Sequence, residues 1–441
     1  MRVSVKSGSI NSRVLRLAGP SILANITVPL VGIVDLAIAG HLGEAACIGG
    51  IAIGSMLFDL LYWNMGFLRV GTAGITAQAY GRQDWETCIN TFFQGIATAL
   101  LVALVCLVIQ WGYAALAFMA VDCSSEVEVI ARDYFFIRIW AVPATLSLFV
   151  FKGWFIGMQN TIYPMITDIW VNLSNIVVSW FLAFHTPLGI NGVAVGTVIA
   201  QWSGALLALA LMLLHYRKMI PEADLHKAIR WTHIRNFFTI NVHLFIRSLS
   251  MLVVYCGFTV LATRFGDIQL AVSEVMMKLL LLYSYFVDGF AYAGEALVGR
   301  FIGEHNPKAV RGTIRCVFFW AFVISAVSTA AYALFPRPLV QLLTDNAEVV
   351  EACGPFLFWL LLMPVMSCIA FTWDGIYTGA TESSQMMWCT VIAAVLFLIA
   401  FFTLQPALGI QALYVAYFVH LVARSAYMTF KWPHLKPYDK F

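Results

Sequence analysis

The sequence predicts an all-α integral membrane protein, with twelve transmembrane helices in two pseudo-symmetric six-helix lobes arranged as parallel repeats. Three observations carry this expectation. Hydrophobic residues fill 61% of the 441 positions and charged residues only 11%, where a soluble domain carries about 25% charged. Apolar runs of the roughly 20 residues needed to cross a bilayer recur along the whole chain. The second half also repeats the first.

Taken in order, the apolar runs fall at 14–38, 46–72, 88–117, 128–152, 161–184, 190–214, 235–262, 268–298, 309–334, 350–376, 385–404 and 409–430. The opening stretch "MRVSVKSGSINSRVLRLAGPS" has no small-residue cleavage site after a short apolar core, so the first run is read as a retained span. An even number of spans puts both termini on one side. Nineteen Lys and Arg fall at the N-terminus, the even connections and the C-terminus, against Arg132, Arg264 and Arg337 opposite. That bias orients both termini to the cytoplasm. Residues 215–234 form the longest polar break, which divides a lobe at 1–214 from one at 235–441.

The repeat is legible in short matches. "GFLRVGTA" at 66–73 pairs with "GFAYAGEA" at 289–296, an offset of 223. "KGWFIG" at 152–157 pairs with "DGIYTG" at 374–379 at 222, and "LGINGVAV" at 188–195 with "LGIQALYV" at 408–415 at 220. Six spans per half start the second on the same side as the first, a parallel repeat. Two such lobes describe an alternating-access transporter better than a receptor or a membrane enzyme.

Composition excludes several classes. A net charge of +3 is too small to indicate a nucleic-acid partner. The nine cysteines form no CxxC pair, and most lie in apolar runs as small core residues. No cofactor or metal site is indicated, and no His, Cys or Ser cluster with a base points to an enzyme. No GxxxxGK[ST] loop offers nucleotide chemistry, so an ion gradient must supply the energy. The 33 Phe, 16 Tyr and 14 Trp suit flat cationic substrates.

One carboxylate stands out in "NITVPLVGIVDLAIAGHLG". Asp35 lies about twenty residues into the first span, with apolar neighbours. Burying it ionised costs several kcal/mol, so it is protonated when dry and ionised when wet. Pro29 removes the backbone bond that would reach Asn25, and Gly32 loosens the helix further. Asn172, Asn175 and Ser179 share one face of the fifth span, and Thr197 and Gln201 follow one turn apart in the sixth. Together they offer a neutral hydrogen-bonding set around one carboxylate. Asp59, mid-way along the second span, ranks next, then Asp288 and Asp374, where a structural role and a second coupling site are equally open. Glu274 and Lys278 read as an i, i+4 pair, Glu295 as interfacial, and Arg138 and Arg247 as anchors between helices.

The run "P-L-V-G-I-V-D…G-H-L-G", then "T-A-Q-A-Y-G", "N-I-V-V-S" and "G-V-A-V-G-T-V", resembles the multidrug and toxic compound extrusion (MATE) family. "DGFAYAGEALVGRFIGEHN" and "DGIYTGAT" resemble its DinF branch. The resemblance spans about residues 12–430. It implies cation-coupled export of amphipathic, usually cationic compounds by a monomer in the bacterial inner membrane. It also implies that protonation of Asp35 is linked to bending of the first helix, with Asn175 and Thr197 in its network. Ser179 departs from the pattern, standing where related members often place a second aspartate. One carboxylate among amides and hydroxyls suits a proton better than sodium, since a metal ion wants several oxygen ligands. A sodium-coupled antiporter and a lipid-linked precursor flippase are the alternatives, the latter disfavoured by few intramembrane arginines.

Overall fold

The computed structural model describes residues 9–41, 45–120, 123–223, 231–344 and 346–435, and every regular element in them is helical. Each expected span is a helix, most of them one or two turns longer than the apolar run that predicts it. In order they are Ile10–His41, Ala46–Gly81, Trp85–Ala120, Ser125–Gly157, Ile162–His185, Asn191–Tyr216, Trp231–Ala262, Asp267–Gly303, Pro307–Leu334, Ala347–Gly379, Ser383–Leu408 and Gln411–Lys431, called the first to twelfth helices below. Eleven are long and apolar enough to cross a membrane. The twelfth is fully formed but less apolar, because His420, Arg424 and Ser425 lie inside it.

Some helices are interrupted where the sequence demands it. The second breaks at Gly66, and the fourth passes through a 3-10 turn at Ile139–Ala141 just before Pro143, which has no N–H to donate. The tenth does the same at Gly354–Phe356, around Pro355. The polar break is a 3-10 turn at Arg217–Glu222, and residues 224–230 of the expected linker lie outside the described residues. So do Arg2, Lys6, Lys227, Arg230, Lys436 and Lys440 of the charge count. Other members of that count lie within the helices rather than in loops. Arg424 is fully buried, and Lys152 pairs with Asp168 of the fifth helix at 2.7 Å.

Packing divides the chain into Leu23–Phe237 and a second unit of Phe238–Phe441 with Met1–Ile22. The opening of the first helix, expected in the first lobe, makes its contacts in the second unit. Trp320 Nε1 donates to Asn11 Oδ1 at 2.6 Å, and the Arg13 guanidinium lies 6.0 Å from the Phe301 ring centre. The core of the second unit is aromatic, with Phe258, Phe397, Tyr414 and Tyr417 all buried. A smaller core in the first unit gathers Ile38, Ile51, Tyr134, Val193 and Ala194.

The repeat reappears in the backbone. Positive φ occurs at Gln83, Gln159 and Gly189, and again at His305, Thr381 and Gly409. Helix-on-helix contacts repeat as well. An added Cβ at Gly153 would run into the Arg69 carbonyl, and one at Gly375 into the Ala291 carbonyl. Gly157 meets Ala73 and Thr76, as Gly379 meets the Glu295 carbonyl. These contacts place the second and eighth helices in a register of 222, one residue from the 223 of the sequence match. Both helices are dense in Gly and Ala, so matching by residue type slides easily, whereas glycine seated on a carbonyl does not. Close backbone approach is how helices gain packing energy in lipid, where no hydrophobic drive exists between them. Gly375→Ala is therefore expected to destabilise the folded protein by about 1–3 kcal/mol, read as a lower thermal midpoint in detergent. An equal midpoint would show that the helices can separate freely there.

Candidate coupling site in the first unit

Asp35 is buried, 6% exposed, in the first helix between Val34 and Ile38. Those neighbours pack against Tyr134 of the fourth helix, Ala183 of the fifth, and Val193 and Ala194 of the sixth. The carboxylate is thus held in an apolar seam, and its Oδ1 meets no hydrogen-bond donor among the described residues.

The expected polar partners assemble, but around one another. Asn175 Nδ2 donates to Thr197 Oγ1 at 2.9 Å, and Thr197 Oγ1 donates to the Val193 carbonyl at 3.1 Å. Ser179 Oγ donates to the same carbonyl at 3.3 Å. The Asn175 amide oxygen is buried without a donor. Gln201 is half-buried and makes no hydrogen bond among the described residues. Asn172 bonds elsewhere: its Nδ2 donates to Thr27 Oγ1 at 2.7 Å, and Thr27 donates to the Ala24 carbonyl at 2.7 Å. The fifth helix therefore grips the first just two residues before Pro29. Beyond that grip the helix continues without interruption past Gly32, where an added Cβ would meet nothing within 4 Å.

Arg138 supplies what sequence spacing concealed. It does anchor helices, since Nη1 donates to Tyr134 Oη at 2.9 Å and to Ser55 Oγ at 3.2 Å. The guanidinium lies 4.8 Å from the Phe58 ring centre. It also stands within electrostatic reach of both Asp35 and Asp59, so neither carboxylate is remote from a cation. Asp59 itself is exposed. The Tyr134–Arg138 spacing of i, i+4 signalled the bond to Tyr134 alone, not the approach to Asp35.

The second unit treats its carboxylates differently. Asp374 accepts from Arg247 at 2.8 Å and from Arg424 at 2.6 Å, both at Oδ2. Glu274 accepts from Thr259 at 2.6 Å, and exposed Lys278 is not its partner. Glu295 is 1% exposed, buried rather than interfacial, because the close approach of Gly379 brings the tenth helix over it. Asp288 is half-buried. Carrying the repeat offsets across, Asn175, Ser179, Thr197 and Gln201 correspond to Phe397, Phe401, Tyr417 and Leu421, all fully buried. Asp35 corresponds to Gly257, against which Phe397 packs at 3.6 Å from an added Cβ. An aromatic plug stands where the first unit has its polar set.

Known proteins fall in line with this architecture. The MatE family model matches residues 20–181 and 244–403, one match in each half. DNA damage-inducible protein F of Escherichia coli is 31% identical over 420 residues, covering 94% of this chain and 90% of that protein. The probable multidrug resistance protein NorM of Rhizobium meliloti is 25% identical over 396 residues, covering 86% and 83%. A solved multidrug resistance MATE transporter of the MOP superfamily, in an outward-facing conformation, superposes with a TM-score of 0.87 at 16% identity, covering 97% of each chain. The chain belongs to the MatE family of multidrug and toxic compound extrusion transporters, in the DinF branch.

Proposed function

We propose that the protein exports amphipathic, cationic compounds in exchange for protons, with Asp35 as the proton carrier. The observation that carries this reading is the Asp35 carboxyl itself, buried in an apolar seam with Oδ1 lacking a donor. A carboxylate left that way is costly, and a proton removes the cost without requiring further oxygen ligands. Ser179 supports proton over sodium, because it sets a neutral hydroxyl where a second carboxylate would supply charge to a metal ion. The protein works as a monomer in the bacterial inner membrane, with both termini cytoplasmic.

Ionised Asp35 needs water and neighbouring dipoles, which favours an extended, wetted first helix. Protonation removes that need and lets the segment beyond Pro29 swing, with the Asn172–Thr27 bond as its fixed end. Pro29→Ala restores a backbone bond and is expected to slow export severalfold while substrate affinity holds. Unchanged rates in that variant would make the proline mere architecture.

The deciding experiment is ethidium export from everted vesicles with proton and sodium gradients imposed separately. A pH gradient alone is expected to drive export, and an uncoupler to abolish it. Strict dependence on a sodium gradient would overturn proton coupling.

A further inference from the structure

The ninth helix carries an exposed stripe that changes character along its length. Lys308, Arg311 and Arg315 take the first turns, and Phe319, Phe322 and Ala326 continue the same face at steps of three and four. All six are exposed. The opposite face, with Val310, Thr313, Val317 and Ala321, is buried against the eighth and tenth helices. No Asp or Glu occurs anywhere in this helix. Glu304, just before it, is held by Arg300 at 2.7 Å.

The length of the helix sets the depth of each part. Its 28 residues span about 42 Å, the thickness of a bilayer with both headgroup layers. The three cations therefore lie at headgroup depth, and the exposed rings lie among acyl chains. The fold does not require this pattern. Asp84 and Asn306 cap the third and ninth helices alike, each accepting from the backbone N–H three residues on. In that register of 222, Lys308, Arg311 and Arg315 correspond to Glu86, Ile89 and Phe93. Ile89 is fully buried, and the Arg217–Glu222 turn packs on the third helix. The second unit leaves the equivalent face open and makes it cationic. Guanidinium and ammonium groups one turn apart match the oxygens of a phosphate. We infer that Lys308 and Arg315, with Arg311 between them, seat the headgroup of an anionic phospholipid whose acyl chains run along Phe319 and Phe322.

The purified full-length protein in neutral detergent is titrated with phosphatidylglycerol, and in parallel with phosphatidylcholine and inorganic phosphate, while the thermal midpoint is followed. Phosphatidylglycerol is expected to raise the midpoint saturably and the other two far less. Lys308→Gln combined with Arg315→Gln removes two cations at about fivefold each, so phosphatidylglycerol affinity is expected to fall at least about tenfold. Both side chains are exposed, so the midpoint without lipid is expected to hold. Arg82→Gln combined with Lys218→Gln removes two exposed cations of the first unit and is expected to leave the affinity unchanged. An equal loss in that second variant would reduce the effect to diffuse attraction. Phosphatidylcholine matching phosphatidylglycerol would mean that any lipid covers the face, and phosphate matching it would mean a site for a free anion. Each of these results, or an unchanged affinity without Lys308 and Arg315, overturns the inference.

Discussion

Asp35→Asn is expected to abolish coupled export while expression and thermal midpoint stay close to those of the unaltered protein. The amide has the size and shape of the protonated acid, so the seam around Val34 and Ile38 has no reason to repack. What disappears is the ability to change charge. Removing it takes away a term of several kcal/mol, more than the roughly 1–3 kcal/mol that typically couples distant sites. Export driven by a pH gradient should fall to background, and ethidium binding should persist. Full export by the variant would remove Asp35 from the mechanism.

The second large effect is structural. Asp374→Ala leaves Arg247 and Arg424 facing each other with no carboxylate between them. Breaking a buried ion cluster by removing its shared partner costs about 3–5 kcal/mol, enough to deplete the folded protein from the membrane. Arg247→Gln, by contrast, keeps a neutral pair and should cost far less. The check is yield and thermal midpoint of the two variants side by side. Equal stability would show that Asp374 does not hold the three helices together.

Much of this was legible in the sequence because lipid imposes strong rules. Apolar length fixed the helices, and the spacing of Asn172, Asn175 and Ser179 placed them on one helix face. The bond between Asn175 and Thr197 followed from adjacent spans joined by a short turn. What stayed hidden depended on distant partners. Arg247 and Arg424 reach Asp374 across 127 and 50 residues of chain, and no local pattern signals such a meeting. Arg138 was visible as an intramembrane cation, but its place near Asp35 required the fourth helix to lie against the first. Glu295 looked interfacial because its burial is caused by a glycine on another helix. The Asn172–Thr27 bond was missed for the same reason, since Asn172 shares a helix face with Asn175 yet points its amide to a different element.

The aromatic plug of Gly257, Phe397 and Tyr417 has an energetic consequence. On the proposed reading of Asp35 as the proton carrier, with no counterpart to it at Gly257, each cycle carries one proton inward. Exchange for a monovalent cation then moves no net charge, so membrane voltage contributes nothing. The driving force is the pH difference alone, about 1.4 kcal/mol per unit. A neutral compound leaving against the same proton would move one charge inward, and voltage would add about 2.3 kcal/mol for every 100 mV. The same transporter would thus expel uncharged compounds most strongly in a polarised cell and cations most strongly in an acid medium.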